Sequence, residues 1–157
     1  MFILEKQAEM TSDISIKIKD INTLDISEVA HIYDKVSRDN SYSDTSIRKE
    51  LEKRYIDIQQ GKHPEMAMAL IWFGERLIGW VGTRPYKEEV DNKLVAVQTI
   101  ECFVDSEYRR KGIAKLGLQA LITTEKINRS KLVSVYRQNV IGLAKQCGCS
   151  NVVYCEP

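Results

Sequence analysis

The sequence has no long apolar run and no excess of charge of either sign. A membrane-spanning helix needs about 20 consecutive apolar residues, and no stretch of this 157-residue chain approaches that. Its 23 basic residues nearly balance its 22 acidic ones, which gives a net charge of +1. A broad basic field for nucleic acid is therefore not expected. The composition argues against a membrane protein and against a nucleic-acid partner.

Three common functional motifs are also missing. The chain contains neither the dinucleotide fingerprint G-x-G-x-x-G nor the P-loop G-x-x-x-x-G-K-[ST], so the two commonest phosphate-binding loops are not supported. It has no G-x-S-x-G elbow either, which excludes the usual signature of a serine hydrolase.

Metal-binding patterns are scarce as well. The two histidines, His31 and His63, stand alone, and the four cysteines lack the spacing of zinc ligands,. The cysteines are Cys102, Cys147, Cys149 and Cys155. We expect no metal site and interpret the cysteines as reduced thiols of a cytoplasmic protein.

The length and the 43% hydrophobic content suit one domain with a core of its own,. Residues 1–13 carry no clear hydrophobic pattern and are interpreted as a leader, with disorder as one interpretation. Residues 14–157 are expected to form the single domain.

Apolar periodicity divides this domain into alternating elements. Strands are predicted over 14–21, 66–73, 77–81, 94–104, 131–136 and 152–155, helices over 26–36, 47–58, 113–127 and 140–147, and polar connections over 37–44 and 84–92. Small residues on the third helix, Gly117 and Ala120, indicate a close approach to a sheet. Gly148 is expected to end the last helix because glycine adopts positive φ readily.

The most informative segment is a basic loop between the strand that ends at Val104 and the helix that follows. Its residues are Arg109, Arg110, Lys111, Gly112, Ile113 and Ala114. A loop that leads into a helix presents unpaired backbone N–H groups and the positive end of the helix dipole, so an anion can dock there. Glycine lets a ligand approach the backbone, and the three cations add charge. A solvated helix cap is the alternative.

The spacing Arg-x-x-Gly-x-Ala, together with the order of elements from Ile14 to Tyr154, resembles the GNAT-type N-acetyltransferase superfamily. The resemblance implies an α/β (α+β) fold: a mixed central sheet of about six or seven strands, about four helices, and a V-shaped splay between the fourth and fifth strands. It implies transfer of the acetyl group of acetyl-CoA, as co-substrate, to an amine by direct attack in a ternary complex. The acceptor, a small molecule or a protein amine, is not identified, and a homodimer stays open.

The same resemblance assigns residues to the cofactor. Backbone groups of Cys102, Phe103 and Val104 would contact pantetheine, and the loop from Arg109 to Ala114 would hold the pyrophosphate. Asn139 follows the fifth strand, and its amide would either bond pantetheine or cap the helix.

Glu101 is the candidate general base because members of the family often carry a glutamate near this place. A base must remove a proton before an amine can attack. The alternative is a glutamate that faces out of the sheet in a salt bridge, and both interpretations stay open.

The usual acid of the family, a tyrosine in the last helix, has no counterpart here. Aligning the pattern on Asn139 or on Gly148 places Gln146 or Ala144 at the tyrosine position. A catalytically weak or inactive CoA-binding protein that acts as a binding or inhibitory partner is therefore the alternative function. Acceptor-wall candidates by resemblance are Asp39, Tyr42, Asp44, Arg84 and Tyr86.

Overall fold

The computed structural model describes residues 13–20, 53, 56–57, 59–60, 67–135 and 137–154. The strands are β1 Ile14–Asp20, β2 Ala67–Phe73, β3 Arg76–Thr83, β4 Pro85–Val90, β5 Lys93–Val104, β6 Val133–Val135 and β7 Val152–Tyr154, and the helices described in full are α1 Ile113–Thr123 and α2 Gln138–Gln146. All seven strands join one sheet of order β1-β2-β3-β5-β6-β7, with β4 paired to β5. The predicted α/β class with a mixed sheet is confirmed.

The first three strands form an antiparallel meander. β1 pairs with β2 from Ile14–Phe73 to Asp20–Ala67, and β2 turns into β3 at Gly74, which has a φ of 59°. Residues 67–71 of β2 are all buried. A strand that is covered on both faces has this nearly continuous apolar sequence instead of an alternating one.

β5 pairs with β3 and then with β4 in one unchanged antiparallel register. Gly82 of β3 pairs with Glu101 of β5, and Pro85 of β4 pairs with Gln98 of β5. The two short strands are therefore one long ribbon with a local interruption at Arg84.

The predicted polar connection over 84–92 is wrong, because residues 85–90 form β4. Pro85 opens the strand, a position where its missing N–H is tolerated. Asp91 and Asn92 have φ values of 50° and 64°. These are the angles of a two-residue hairpin turn that joins twisted strands without splaying them.

The other side of the sheet is parallel. β5 pairs with β6 from Gln98–Val133 to Ile100–Val135, and β6 pairs with β7. The β5–β6 ladder spans three residue pairs, whereas β5 runs on to Val104. This arrangement places the predicted V-shaped splay at the carboxyl end of β5.

α1 packs on the meander, and Gly117 sets the distance. A Cβ on Gly117 would lie 2.8 Å from Val81 Cγ2 and 2.9 Å from Ile71 Cδ1, which is closer than packed side chains tolerate. The close approach of this helix to a sheet is confirmed.

The predicted end of α1 is wrong by one turn. The helix stops at Thr123, and Glu125 has a φ of 62°. The N–H groups of Lys126 and Ile127 both donate to the carbonyl of Leu121. Ile127 is still buried, so its apolar side chain continued the helical pattern although its backbone had left the helix.

α2 ends as the sequence predicts. Gly148 has a φ of 90°; its N–H donates to the Lys145 carbonyl, and the N–H of Cys149 donates to the Ala144 carbonyl. These two bonds form a Schellman motif, which satisfies carbonyls that the helix would otherwise leave unpaired.

Four sequence predictions lie wholly or mainly outside the described residues: the leader before residue 13, the helix over 26–36, the polar connection over 37–44 and most of the helix over 47–58. Residues 53, 56, 57 and 59 of the second helix are helical. Neither described helix is long and apolar enough to cross a membrane.

A matched pair of substitutions tests the packing of α1. Gly117→Ala and Gly142→Ala make the same change inside helices, where alanine is favoured over glycine by about 1 kcal/mol. A Cβ at Gly142 would meet nothing within 4 Å. We expect the free energy of unfolding of Gly117→Ala to be lower than that of Gly142→Ala by about 1–3 kcal/mol, the cost of overpacking. Urea unfolding measures both, and equal values would contradict the close contact.

Candidate functional site

The loop between β5 and α1 has a defined backbone conformation. A 3-10 turn, Ser106–Tyr108, follows the strand. Arg110 then has a φ of 62°, and Gly112, the N-cap residue of α1, has φ 77° and ψ 14°. The Gly112 carbonyl accepts the first helical bond, from the N–H of Leu116. Left-handed conformations cost side-chain-bearing residues about 1 kcal/mol or more, so glycine suits this place.

The backbone at Gly112 is open. A Cβ built there would meet no atom within 4 Å, and Arg110, Lys111 and Gly112 are all exposed. The N–H groups of the first turn of a helix have no intrahelical partners, and the helix dipole is positive at this end. The geometry therefore fits a diphosphate, whose oxygens accept hydrogen bonds from such N–H groups.

Two of the three basic side chains of the loop contact the protein itself. Arg109 donates from Nε to the carbonyl of Val104 at 2.9 Å. Lys111 places its Nζ 5.7 Å from the centre of the Tyr108 ring. These contacts bind the loop to the end of β5 and to the 3-10 turn. They involve the side chains of Arg109 and Lys111.

The predicted pantetheine edge, Cys102 to Val104, lies directly before this loop. These residues pair with β3 on one side. The other side is the one along which β5 meets β6 further back, at residues 98–100. A ligand held at the loop would therefore extend along β5 towards Glu101.

Glu101 lies on the sheet face opposite the core that α1 covers. Its carboxylate is 3.9 Å from Arg84 Nε, and the two side chains are only 20% and 13% exposed. Arg84 is itself fixed by Thr99: its N–H donates to Thr99 Oγ1, and the Thr99 N–H donates to the Arg84 carbonyl. The distance is that of an ion pair without a hydrogen bond at Arg84 Nε, and the attraction offsets part of the cost of burying the carboxylate. Glu101 therefore does form the salt bridge that the alternative interpretation expects, with both side chains partly buried. Its role as a base stays a prediction.

Two polar atoms near Glu101 could not be found from sequence. Ser134 Oγ and Trp80 Nε1 are buried and make no hydrogen bond in the structure. Ser134 pairs with Thr99 and Trp80 with Phe103, and residues paired across a ladder share a sheet face. Both atoms therefore lie on the face of Glu101. Burial of a polar atom without a partner costs stability, so each of these two atoms calls for an explanation.

Asn139 does not cap α2. Arg137 occupies the N-cap position, without a side-chain capping bond, and Asn139 lies exposed in the first turn. The capping interpretation is wrong because the helix begins two residues earlier than that interpretation requires. The pantetheine contact stays a prediction.

The described cysteines are unsuited to nucleophilic or acid roles. Cys102, Cys147 and Cys149 are free thiols. Burial raises the pKa of Cys102 to about 11, against a smaller lowering by Arg137, and burial also raises the pKa of Cys147 and Cys149. Within the part of the chain that the structure describes, no three His, Cys, Asp or Glu residues lie close enough to hold a metal ion.

Comparison with known families identifies this arrangement. The sequence profile of the acetyltransferase (GNAT) family matches residues 29–149, a stretch that includes β2 to α2, the basic loop and Glu101. The chain belongs to the GNAT acetyltransferase family. No curated protein matches its sequence closely enough to count as a relative.

Solved structures show the same fold at low sequence identity. A predicted acetyltransferase from Clostridium acetobutylicum, solved with acetyl-CoA, is 16% identical over 86% of this chain and 88% of its own, with a TM-score of 0.60. Glucosamine-6-phosphate N-acetyltransferase from Arabidopsis thaliana is 18% identical over 91% of this chain and 97% of its own, with a TM-score of 0.53. The aminoglycoside N-acetyltransferase AAC(6')-Iy, solved with CoA, is 15% identical over 92% of each chain, with a TM-score of 0.54. These likenesses establish the fold of this GNAT protein.

The buried thiol of Cys102 predicts a pH dependence of stability. Its pKa is about 11 in the folded state against 9.0 for an unperturbed thiol, so both states keep the proton below pH 9. Between the two values only the unfolded state loses its proton, and stability falls as the pH rises. From about pH 8 to about pH 10.5, the wild type should lose about 2 kcal/mol more than Cys102→Ala. Urea unfolding at both pH values checks this, and parallel losses would place the thiol in contact with solvent.

Proposed function

We propose that this GNAT protein is an N-acetyltransferase that transfers the acetyl group of acetyl-CoA to an amine acceptor by direct attack in a ternary complex. One observation carries the proposal: the strand that bears Glu101 leads into an open left-handed glycine at the N-terminus of α1, flanked by three basic residues. An anionic cofactor held there would lie at the end of the strand that carries the candidate base. Membership of the family supports the same reaction.

The loop from Arg109 to Ala114 holds the diphosphate in this proposal. N–H groups of the first turn of α1 donate to its oxygens, and the absence of a side chain at Gly112 allows the phosphates to reach the backbone. Arg110 and Lys111 add long-range attraction that salt weakens.

Acetyl-CoA supplies an activated thioester whose carbonyl carbon accepts the amine. The backbone of Cys102 to Val104 positions the pantetheine arm beside β5, and an N–H group aimed at the carbonyl oxygen stabilises the negative charge that develops there. Asn139 is proposed to bond the same arm from the first turn of α2.

Glu101 acts as the base in this proposal. Its carboxylate takes the proton that the attacking amine loses, directly or through water, as a new C–N bond forms and the C–S bond breaks. α2 contains no tyrosine, so no phenol of that helix protonates the sulfur. Thiols have a pKa of about 8.5, so the thiolate is a tolerable leaving group without such help.

The acceptor is proposed to be a basic amine on a small molecule or a protein. Two of the similar structures act on amino sugars by name, which makes amino sugars a rational first panel beside polyamines and peptide amines. Of the predicted wall residues, Arg84 lies beside Glu101 and Tyr86 lies on β4. The other three, Asp39, Tyr42 and Asp44, lie outside the described residues. A cytoplasmic location and a homodimer stay predictions.

Substitution of the loop tests the cofactor site. In the double variant Arg110→Glu/Gly112→Glu, two carboxylates and a side chain face the phosphates, and the glycine conformation becomes strained. We expect the Kd for acetyl-CoA to rise at least about a hundredfold, equivalent to about 2.7 kcal/mol. Isothermal titration calorimetry measures it.

The control is Lys93→Glu/Gly142→Glu, which makes the same charge change at exposed positions at the start of β5 and in α2. Its affinity should match the wild type. If the loop variant binds acetyl-CoA as tightly as this control does, the site has been misplaced.

Glu101→Gln tests the base. Removing a general base costs about a hundredfold to ten-thousandfold in kcat, whereas the Kd for acetyl-CoA should hold because the amide keeps the shape of the carboxylate. Steady-state CoA release with an active amine measures the rate, and Glu89→Gln, an exposed carboxylate on β4, is the control. An unchanged kcat in Glu101→Gln would remove Glu101 from the reaction.

The missing tyrosine in α2 favours a second candidate function, a CoA-binding partner without turnover. Steady CoA release with any member of an amine panel rejects it. Tight binding of acetyl-CoA with no release for any amine would establish it in place of the enzyme.

A further inference from the structure

The loop between β5 and α1 is attached to the end of the β2–β3 hairpin. The N–H of Asp105 donates to the carbonyl of Ile78 at 2.8 Å. The ring of Phe73, the last residue of β2, lies 5.9 Å from the ring of Tyr108. A backbone bond and an aromatic contact therefore connect the start of the loop to two neighbouring strands.

Arg76, the first residue of β3, pairs with both carboxylates of the loop. Its Nη2 is 3.6 Å from Asp105 Oδ2, and the same nitrogen donates to Glu107 Oε1. The bond to Glu107 raises the pKa of Arg76. Asp105 and Glu107 belong to the loop that leads into α1. Without Arg76, the negative charge of these two side chains would be less well neutralised.

The ring of Tyr108 lies close to two cations. Arg76 Cζ is 5.5 Å and Lys111 Nζ is 5.7 Å from the centre of its ring. Both distances are within the range at which the ring quadrupole attracts a cation. The ring therefore contacts one cation of the loop and one cation of the hairpin.

We propose that Arg76 and Tyr108 are positioning residues for the diphosphate: Arg76 neutralises Asp105 and Glu107, and Tyr108 holds Lys111 at the helix N-terminus. This inference rests on the proposed function, because it assumes that the loop binds acetyl-CoA. It assigns the binding strength of the loop partly to a hairpin about 30 residues earlier in the chain.

Arg76→Gln tests the charge. At low ionic strength the Kd for acetyl-CoA should rise about threefold to tenfold, because the positive charge that offsets the carboxylates of Asp105 and Glu107 is lost,. The loss should shrink near about 1 M salt, where charges are screened within about 3 Å. S-acetylpantetheine, which lacks the diphosphate, should bind the variant and the wild type equally. Calorimetry with both ligands separates electrostatics from general damage.

Two further variants check the cause. Arg76→Gln/Glu107→Gln also removes one of the two carboxylates that Arg76 had neutralised, so it should recover about half or more of the lost free energy of binding to acetyl-CoA. Arg76→Lys keeps the charge and should lose less than Arg76→Gln. An affinity for acetyl-CoA in Arg76→Gln equal to the wild type, or an equal loss for S-acetylpantetheine, would overturn the role of Arg76.

Tyr108→Phe and Tyr108→Leu test the ring. Phenylalanine retains the cation–π face and the contact with Phe73, so the Kd for acetyl-CoA should stay within about twofold of the wild type. Leucine removes the face, and the Kd should rise about threefold or more. Equal affinities of the two variants would overturn the role of Tyr108.

The wild type distinguishes this inference from the function beneath it. If the wild type binds acetyl-CoA and the Arg76 and Tyr108 variants bind it with the same Kd, only the positioning roles fail. If the wild type does not bind acetyl-CoA, the proposed function fails and takes this inference with it.

Discussion

The unbroken register between β5 and the ribbon of β3 and β4 is the constraint on which the rest of the structure depends. Glu101 is opposite Gly82, and Cys102 is opposite Val81. Successive side chains of a strand point to opposite faces, so a slip of one residue would exchange the two. The carboxylate would enter the core beneath α1, and the thiol would face Arg84. The fixed hairpin turn at residues 91–92 prevents that slip, because it sets the pairing from its first residue onward.

One strand therefore organises both halves of the candidate site. β5 carries Glu101, the edge from Cys102 to Val104 continues it, and the basic loop leaves from its end. The loop is bound back to the strand by Arg109 and to the β2–β3 hairpin by Asp105. Both bonds run from the loop to strands of one sheet, so the N-terminus of α1 holds a fixed place relative to the carboxylate.

The sequence predicts the parts of the fold whose signal is apolar periodicity. β2, β3, β5 and α1 each bury a strong hydrophobic pattern and were correctly located. β4 was missed because its residues are mostly polar. The signal that could have found it was the Asp91–Asn92 pair between two segments that can pair as strands. The end of α1 was misplaced because Ile127 keeps its burial after the backbone has left the helix.

The candidate site also has one part that the sequence predicts and another that it does not. The loop was predictable because glycine, basic residues and a helix start are adjacent in sequence. The pairing of Arg84 with Glu101, and that of Arg76 with Asp105 and Glu107, join residues far apart in the chain. Such contacts depend on strand register, which a single sequence does not display. The buried hydroxyl of Ser134 is a further case, since nothing in the sequence Val-Ser-Val marks it as unsatisfied.

The burial of Cys102 has a chemical consequence if the protein binds acetyl-CoA as proposed. A thiolate beside an acetyl thioester would be acylated by exchange, and the strand itself would compete with the amine. The nucleophile in such an exchange is the thiolate and not the thiol. With its pKa raised to about 11, Cys102 keeps its proton at neutral pH. Under the proposed function, this thiol would therefore resist acylation by a thioester bound along β5.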